Sequence, residues 1–336
     1  MGPRSWDREE KSVGSKAVVA GGANMDIQGW PHNPFIPGDS NPGTIRSSPG
    51  GVGRNVAENL ARLGIETRLL TVLGADADGK FLEADCAAKG VDLGLSLRSR
   101  LPSPRYLCLL DSRGDLLGAI ADMEAMDLLT WQALEERKES LDGADFLVLD
   151  ANLPAASLEW LAGRYGRSAR ARRRAAGPFL AVDPVSETKA SRLKGIFGEF
   201  DLAKPNMAEA RLLAGLEEGG EDPREIRKAL EATGRLPGEL FISLGSKGLY
   251  GFDSSGETIQ ALPAAWDPGR TVNRSGAGDA LLAALLWSGS RGWPLEKRCR
   301  LALAAALLTS TTEHAVLGTL SGESLERAEA ELFGPR

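Results

Sequence analysis

Apolar residues fall along this chain in short bursts that alternate between two periods. Ala17–Ala20 is a β-rich run that ends at Gly21-Gly22. Asn55–Leu63 has the spacing of an amphipathic helix and stops at Gly64, after which Thr67–Leu73 reads as a strand. Phe146–Leu149, Phe179–Val182 and Leu240–Leu244 are further runs of buried-strand character, and Glu159–Tyr165, Met207–Leu213 and Glu225–Ala232 read as helices. Strands separated by helices predict an α/β domain: a doubly wound parallel sheet with helices on both faces. Ligands in such sheets bind beyond the C-terminal ends of the strands, so chemistry should follow directly after the apolar runs.

Two segments break the alternation. Ile27–Ser48 is rich in Pro, Gly and Asn, and Arg105–Ala121 reads as a hairpin turning at Asp111-Ser112-Arg113-Gly114-Asp115. Together they predict a small β-sheet lid, over about 27–48 and 105–121, on a main domain spanning 17–330. Met1–Lys16 is polar and reads as a flexible tail with no apolar core of a signal peptide. Arg164–Arg174 carries six arginines in one run, the pattern of a solvated helix end rather than a nucleic-acid patch.

Composition narrows the classes without choosing among them. The 336 residues are 42% hydrophobic and 26% charged with a net charge of −6, which gives no electrostatic reason to expect nucleic-acid or membrane binding. The apolar stretches Ala280–Trp287 and Leu301–Leu308 are too short to span a bilayer, and the chain reads as cytosolic. Cys86, Cys108 and Cys299 are far apart and odd in number, so they read as buried inert thiols and not as a disulfide framework or zinc site. The two histidines, His32 and His314, stand beside no serine motif, which leaves a hydrolase triad unsupported. Gly74–Phe81 nearly fits a P-loop, but Phe81 replaces the required hydroxyl and Asp76 and Asp78 would repel phosphates.

The strongest chemical signal is Asn273-Arg274-Ser275-Gly276-Ala277-Gly278-Asp279, followed at once by the wholly apolar Ala280–Leu286. A buried helix that opens on Gly-Ala-Gly offers several free N–H groups beside its positive end, an anion cradle suited to phosphate. A carboxylate inside that cradle repels phosphate. Asp279 therefore either removes a proton from an attacking hydroxyl or simply caps the helix.

This segment resembles the signature of the ribokinase-like (carbohydrate kinase) family. The resemblance runs in order through Gly22-Ala23-Asn24-Met25-Asp26, Pro49-Gly50-Gly51-Val52-Gly53-Arg54-Asn55, Leu73-Gly74-Ala75-Asp76, Lys204-Pro205-Asn206-Met207-Ala208-Glu209 and Ser243-Leu244-Gly245-Ser246-Lys247-Gly248. It implies an ATP-dependent phosphotransferase with Asp279 as catalytic base and the backbone of Gly276, Ala277 and Gly278 as the hole receiving charge on the transferring phosphoryl. By the same resemblance Asp26, with Asn24 beside it, would hold the ribose hydroxyls, and Gly50 and Gly51 would admit the sugar and hinge the lid. Asn55 would bind a ribose hydroxyl or cap its helix. Asn206 and Glu209 would orient Mg²⁺ through water. Ser243, Gly245 and Gly248 would line the nucleotide. The family also implies a homodimer through the lid and a potassium ion near the anion hole, where Asn273 supplies a carbonyl oxygen but no charge.

Within the family, Asp39-Ser40-Asn41-Pro42-Gly43, Gly51-Val52-Gly53-Arg54-Asn55, Asp150-Ala151-Asn152 and Asp183-Pro184-Val185-Ser186 with Lys189 resemble the branch acting on pseudouridine. The implied reaction is phosphorylation of the pseudouridine 5′-hydroxyl. Ser40, Asn41 and Asn152 are candidates for reading the base, though Ser40–Gly43 also reads as a plain turn. Lys189 would reach either a phosphate or the base. The alternatives are a ribokinase or another nucleoside kinase of the family, and a non-catalytic nucleoside sensor on the same scaffold.

Overall fold

The computed structural model describes residues 14–334 apart from 113–114, 175 and 217–218. Most of the expected tail and the tip of the 111–115 turn therefore lie outside the described residues. Among the described residues the main sheet has nine strands. From one edge they are Gly256–Gln260, Leu249–Asp253, Glu239–Ser243, Leu202–Ala203, Phe179–Asp183, Phe146–Asp150, Lys16–Ala20, Glu66–Leu70 and Val91–Asp92. The pairs from Glu239–Ser243 onward are parallel, and an antiparallel hairpin closes the other edge.

Alternation along the central strands divides the core between the two faces of the sheet. Ala17 and Val19, with Phe146 and Val148, pack against the helices Val52–Arg62, Ala277–Gly289 and Leu295–Ser310. Val18 and Ala20, with Leu147 and Leu149, face the helices Ala155–Tyr165, Met207–Ala214 and Pro223–Ala232. A strand buried on both faces has no polar face to show, which is why these runs read as continuous apolar blocks. Burying a leucine this way contributes about 1.5–3 kcal/mol relative to exposure. The helix Ala277–Gly289 is buried at every residue from Asp279 onward, as its all-round apolar composition demands.

The chain leaves the first strand at Gly21-Gly22 and passes directly into a second sheet, ordered Gly43–Gly50, Asn24–Pro31, Arg105–Leu110, Leu116–Asp122. This is the expected small sheet, rooted at Asn24 and Gly50 over the C-terminal edge of the main one. Among the described residues no helix is long and apolar enough to cross a membrane.

Two elements differ from the pattern reading. The strand expected over 67–73 is split: Glu66–Leu70 belongs to the main sheet and Val72–Gly74 pairs instead with Leu97–Ser99. The break is at Thr71, whose N–H goes to Ser96 Oγ at 3.2 Å while its carbonyl accepts from Leu97. The helix expected to start at Asn55 starts at Val52, with Gly51 at its N-cap. Asn55 therefore lies within the first turns and caps nothing. Gly74–Phe81 is no phosphate loop: Asp76 is the N-cap of Ala77–Ala88, accepting from Gly79 N–H at 2.8 Å. The arginine run spans two helix ends, where Arg164 pairs with Asp142 and Arg170 with Asp201. All three cysteines are free and buried, and burial pushes the Cys86 and Cys299 thiols up to about 11 and about 12.

Candidate active site

Two adjacent strands of the main sheet end in aspartates, and both acids organise the loops beyond them. Asp150 Oδ2 accepts the backbone N–H groups of Gly22 and Gly53, each at 2.8 Å, and its Oδ1 accepts that of Asn152 at 2.8 Å. One buried carboxylate thus ties together the exit to the lid, the start of the 52–62 helix and the loop after its own strand. Burial pushes its pKa up against those hydrogen bonds. Asp183 divides its oxygens between Val185 N–H at 2.8 Å and the Lys204 ammonium at 2.8 Å. Val185 has φ +69°, a genuine outlier for a β-branched residue, which Asp183 holds in place.

Asp279 stands opposite this pair. Gly276 is the N-cap, left-handed at φ +77°, with the Ala315 carbonyl where a Cβ would project, so only glycine fits. The ladder begins with Ala280 N–H donating to Gly276 at 2.9 Å, so the N–H groups of Ala277, Gly278 and Asp279 precede the first intrahelical bond. The capping reading of Asp279 does not hold: its side chain takes no backbone N–H of this helix but accepts the Asn55 amide at 2.8 Å. The residue is 7% exposed. Burial, and then the charge of Asp183, push its pKa up to about 7, against the pull of Lys204 and Asn55. A carboxylate so placed is a proton acceptor matched to neutral pH. The Lys204 ammonium lies at 2.8 Å from where a Gly278 Cβ would stand, so a buried positive charge backs the open N–H groups.

Asp26 lies at the root of the lid. Asn24 donates to its Oδ1 at 2.6 Å, and Gly50, paired across the sheet with Asn24, leaves the space that the carboxylate occupies. Burial raises the Asp26 pKa, opposed by the Asn24 bond and the charge of Arg54. Gly51, with φ +95°, turns the chain from the lid into the 52–62 helix. Asn152 lies against Gly22 and accepts from the Lys189 ammonium, whose pKa burial lowers.

On the other side Asn206 and Glu209 form a reciprocal capping box for the 207–214 helix, with both bonds at 2.9 Å. Asn206 bridges to Ser243, and the turn Gly245–Lys247 closes when Leu244 N–H meets the Gly248 carbonyl at 2.8 Å. The structure thus groups Asn206, Glu209, Ser243, Gly245 and Gly248 along one rim. Among the described residues no three acids, histidines or cysteines converge to hold a metal directly.

Ser40 and Asn41 are not brought to this group. Asn41 is half-buried and spends its side chain on its own loop, accepting from Ile36 N–H at 2.8 Å and donating to the Ile36 and Asp39 carbonyls. Asn273 Oδ1 is taken by Ser275 N–H at 2.9 Å. His32 meets Thr44 within the lid, and the backbone N–H of His314 is held by Thr312. Residue-by-residue reading missed the roles of Lys204, Arg54, Asp150 and Asp183. For the two aspartates a signal existed, since each is the first polar residue after an apolar run.

A carboxylate in the first turn of a buried helix, open N–H groups beside it and a small sheet rooted over the sheet edge suit a phosphotransferase with an alcohol acceptor. The pfkB family carbohydrate kinase profile matches residues 15–319, and the chain belongs to that family. It is 33% identical over 300 residues to the pseudouridine kinase of Escherichia coli K12, covering 88% of this chain and 91% of that one. It is 31% identical to the uncharacterized sugar kinase YeiI of the same organism, covering 91% and 81%. In fold it resembles the Arabidopsis thaliana ribokinase complexed with ribose and ATP, at a TM-score of 0.78, 23% identity and coverage of 94% and 99%.

Proposed function

We propose that this kinase transfers the γ-phosphoryl group of ATP to the 5′-hydroxyl of pseudouridine. The observation that carries the chemistry is the placement of Asp279 beside the leading N–H groups of its helix, with its pKa raised to about 7. Asp279 takes the hydroxyl proton as the oxygen attacks. The N–H groups of Gly276, Ala277 and Gly278, with that of Asp279 beside them and Lys204 behind, receive charge as it builds on the phosphoryl oxygens. Asp26, steadied by Asn24, accepts from the ribose hydroxyls, which discriminates against deoxy sugars. Glu209 and Asn206 would hold Mg²⁺ through water, and that ion would neutralise phosphate charge. Ser243, Gly245 and Gly248 line the nucleotide.

The substrate assignment is supported by the relative at 33% identity and by Asn152 and Lys189, a polar pair beside Gly22 that suits a polar base edge. The lid is proposed to close over the sugar and exclude water. Its outer strands are also proposed to pair across a homodimer, because Ile45, Leu116 and Ile120 stand 76%, 59% and 67% exposed. With Asn273 neutral and its oxygen committed to Ser275, potassium is proposed to be at most a weak activator.

A coupled assay of ADP release with pseudouridine, uridine, adenosine and ribose tests the assignment. The expected outcome is a kcat/KM for pseudouridine well above the other three. Equal or lower turnover of pseudouridine would transfer the activity to another nucleoside or sugar.

A further inference from the structure

The catalytic carboxylate owes its hydrogen bond to an amide whose orientation something else must fix. Asn55 can present either its NH₂ or its carbonyl oxygen to Asp279, and the two ends have nearly the same shape. On the other side of that amide lies Arg54, its side chain 3% exposed, donating from Nη1 to Asn55 Oδ1 at 3.0 Å. A guanidinium has donors only, so it can meet the oxygen of the amide and not its NH₂. The guanidinium is itself immobilised. Nη2 is paired with Glu58 one turn along and with Asp85 at 2.7 Å on the neighbouring helix. Those acids are tied in turn to Arg62 and Lys89.

We infer that Arg54 is a positioning residue for the reaction: it locks the Asn55 amide so that NH₂ faces Asp279 and holds the base in its proton-accepting form. The inference rests on Asp279 being the base of the kinase reaction. A hydrogen bond donated to a carboxylate favours its ionised form, whereas a reversed amide would accept from the protonated acid and favour that. The other groups acting on Asp279 come from separate elements: Asp183 and Asp150 from strand ends, and Lys204 from the segment before the 207–214 helix. Arg54 acts through the amide and not by touching substrate. It also explains the pairing of Arg54 with Asn55 in adjacent positions, where one side chain faces the buried ion network and the next faces the reaction.

The test is the ¹³C carboxyl titration of Asp279 in the free protein, its signal assigned by loss in Asp279→Asn. It needs no substrate, so its outcome is independent of which alcohol is phosphorylated. Arg54→Met is expected to raise the midpoint by about one unit, and the acid limb of kcat/KM with it. In an Asn55→Ala background the same change is expected to move the midpoint no further, because the amide through which Arg54 acts is gone. An unmoved midpoint in Arg54→Met overturns the proposal. So does an equal shift with and without Asn55, which would make Arg54 a distant charge and nothing more. Should Arg54→Met fail to fold, Arg54→Lys replaces it. Its single ammonium, held by Glu58 and Asp85, falls short of the amide, and the midpoint is expected to rise by at least half as much. An unmoved midpoint in folded Arg54→Lys overturns the proposal equally.

Discussion

The two sheets of this molecule are built on opposite terms. In the main sheet Leu147, Leu149, Leu180 and Val182 are fully buried, and the acids that end those strands are held by two or three partners each. In the smaller sheet the strand Leu116–Asp122 is exposed at every residue. Chemistry needs groups fixed to within fractions of an ångström, so it is mounted on the sheet with packing on both faces. The smaller sheet buries few residues, Met25 and Cys108 among them, and the closure and subunit contact proposed above would fall on its exposed part. Asp26 stands where the two meet, on a lid strand but with its carboxylate over Gly50 at the lid's root.

The largest effect is expected from Asp279→Asn, which should lower kcat by about a thousandfold while nucleoside binding, read by calorimetry, persists. Turnover close to wild type would remove Asp279 from the mechanism. Next, Leu149→Ala should cost about 2–5 kcal/mol in denaturant unfolding. Ile120→Ser in the lid should change monomer stability by less than about 0.5 kcal/mol and shift sedimentation from dimer to monomer. Comparable destabilisation by the two would mean the lid is part of the core.

The third expectation concerns pH. A base with its pKa at about 7 must be ionised to act, so kcat/KM should rise through that pH, level above it, and fall about tenfold per unit below pH 6. A profile flat from pH 5 to 8 would contradict it. The smallest effect is thermal. Ionising Asp279 costs stability that is absent below its unfolded pKa near 4 and complete above 7, because the folded pKa is the higher one. Asp279→Asn should therefore raise the melting temperature by roughly 2–4 °C at pH 8 and by much less at pH 4.

What the sequence revealed and what it hid divide by distance along the chain. The Gly276–Asp279 cradle was legible because four consecutive residues carry it: glycines that free the N–H groups, an acid with no local partner, and an apolar run that buries the helix. The sheet was legible because strands covered on both faces are apolar throughout. Asn55 was not legible as the partner of Asp279, since 224 positions separate them and neither spacing nor periodicity records a contact of that span. Its helix was also placed three residues late, because Val52-Gly53-Arg54 carries no apolar period and Gly51 caps through its backbone angle, without a side chain. Thr71 hid the strand break for a similar reason: a β-branched residue in an apolar run gives no sign that Ser96 will take its N–H.

The grip of Asp150 on Gly22, Gly53 and Asn152 has a bearing on how such an enzyme could acquire a new acceptor. Three segments share one fastening, so none can be exchanged for a foreign loop unless it restores its own N–H to that carboxylate. Retargeting should therefore proceed by swapping side chains at Asn152 or Lys189 on an unchanged backbone. Grafting whole loops would undo the clasp for all three at once.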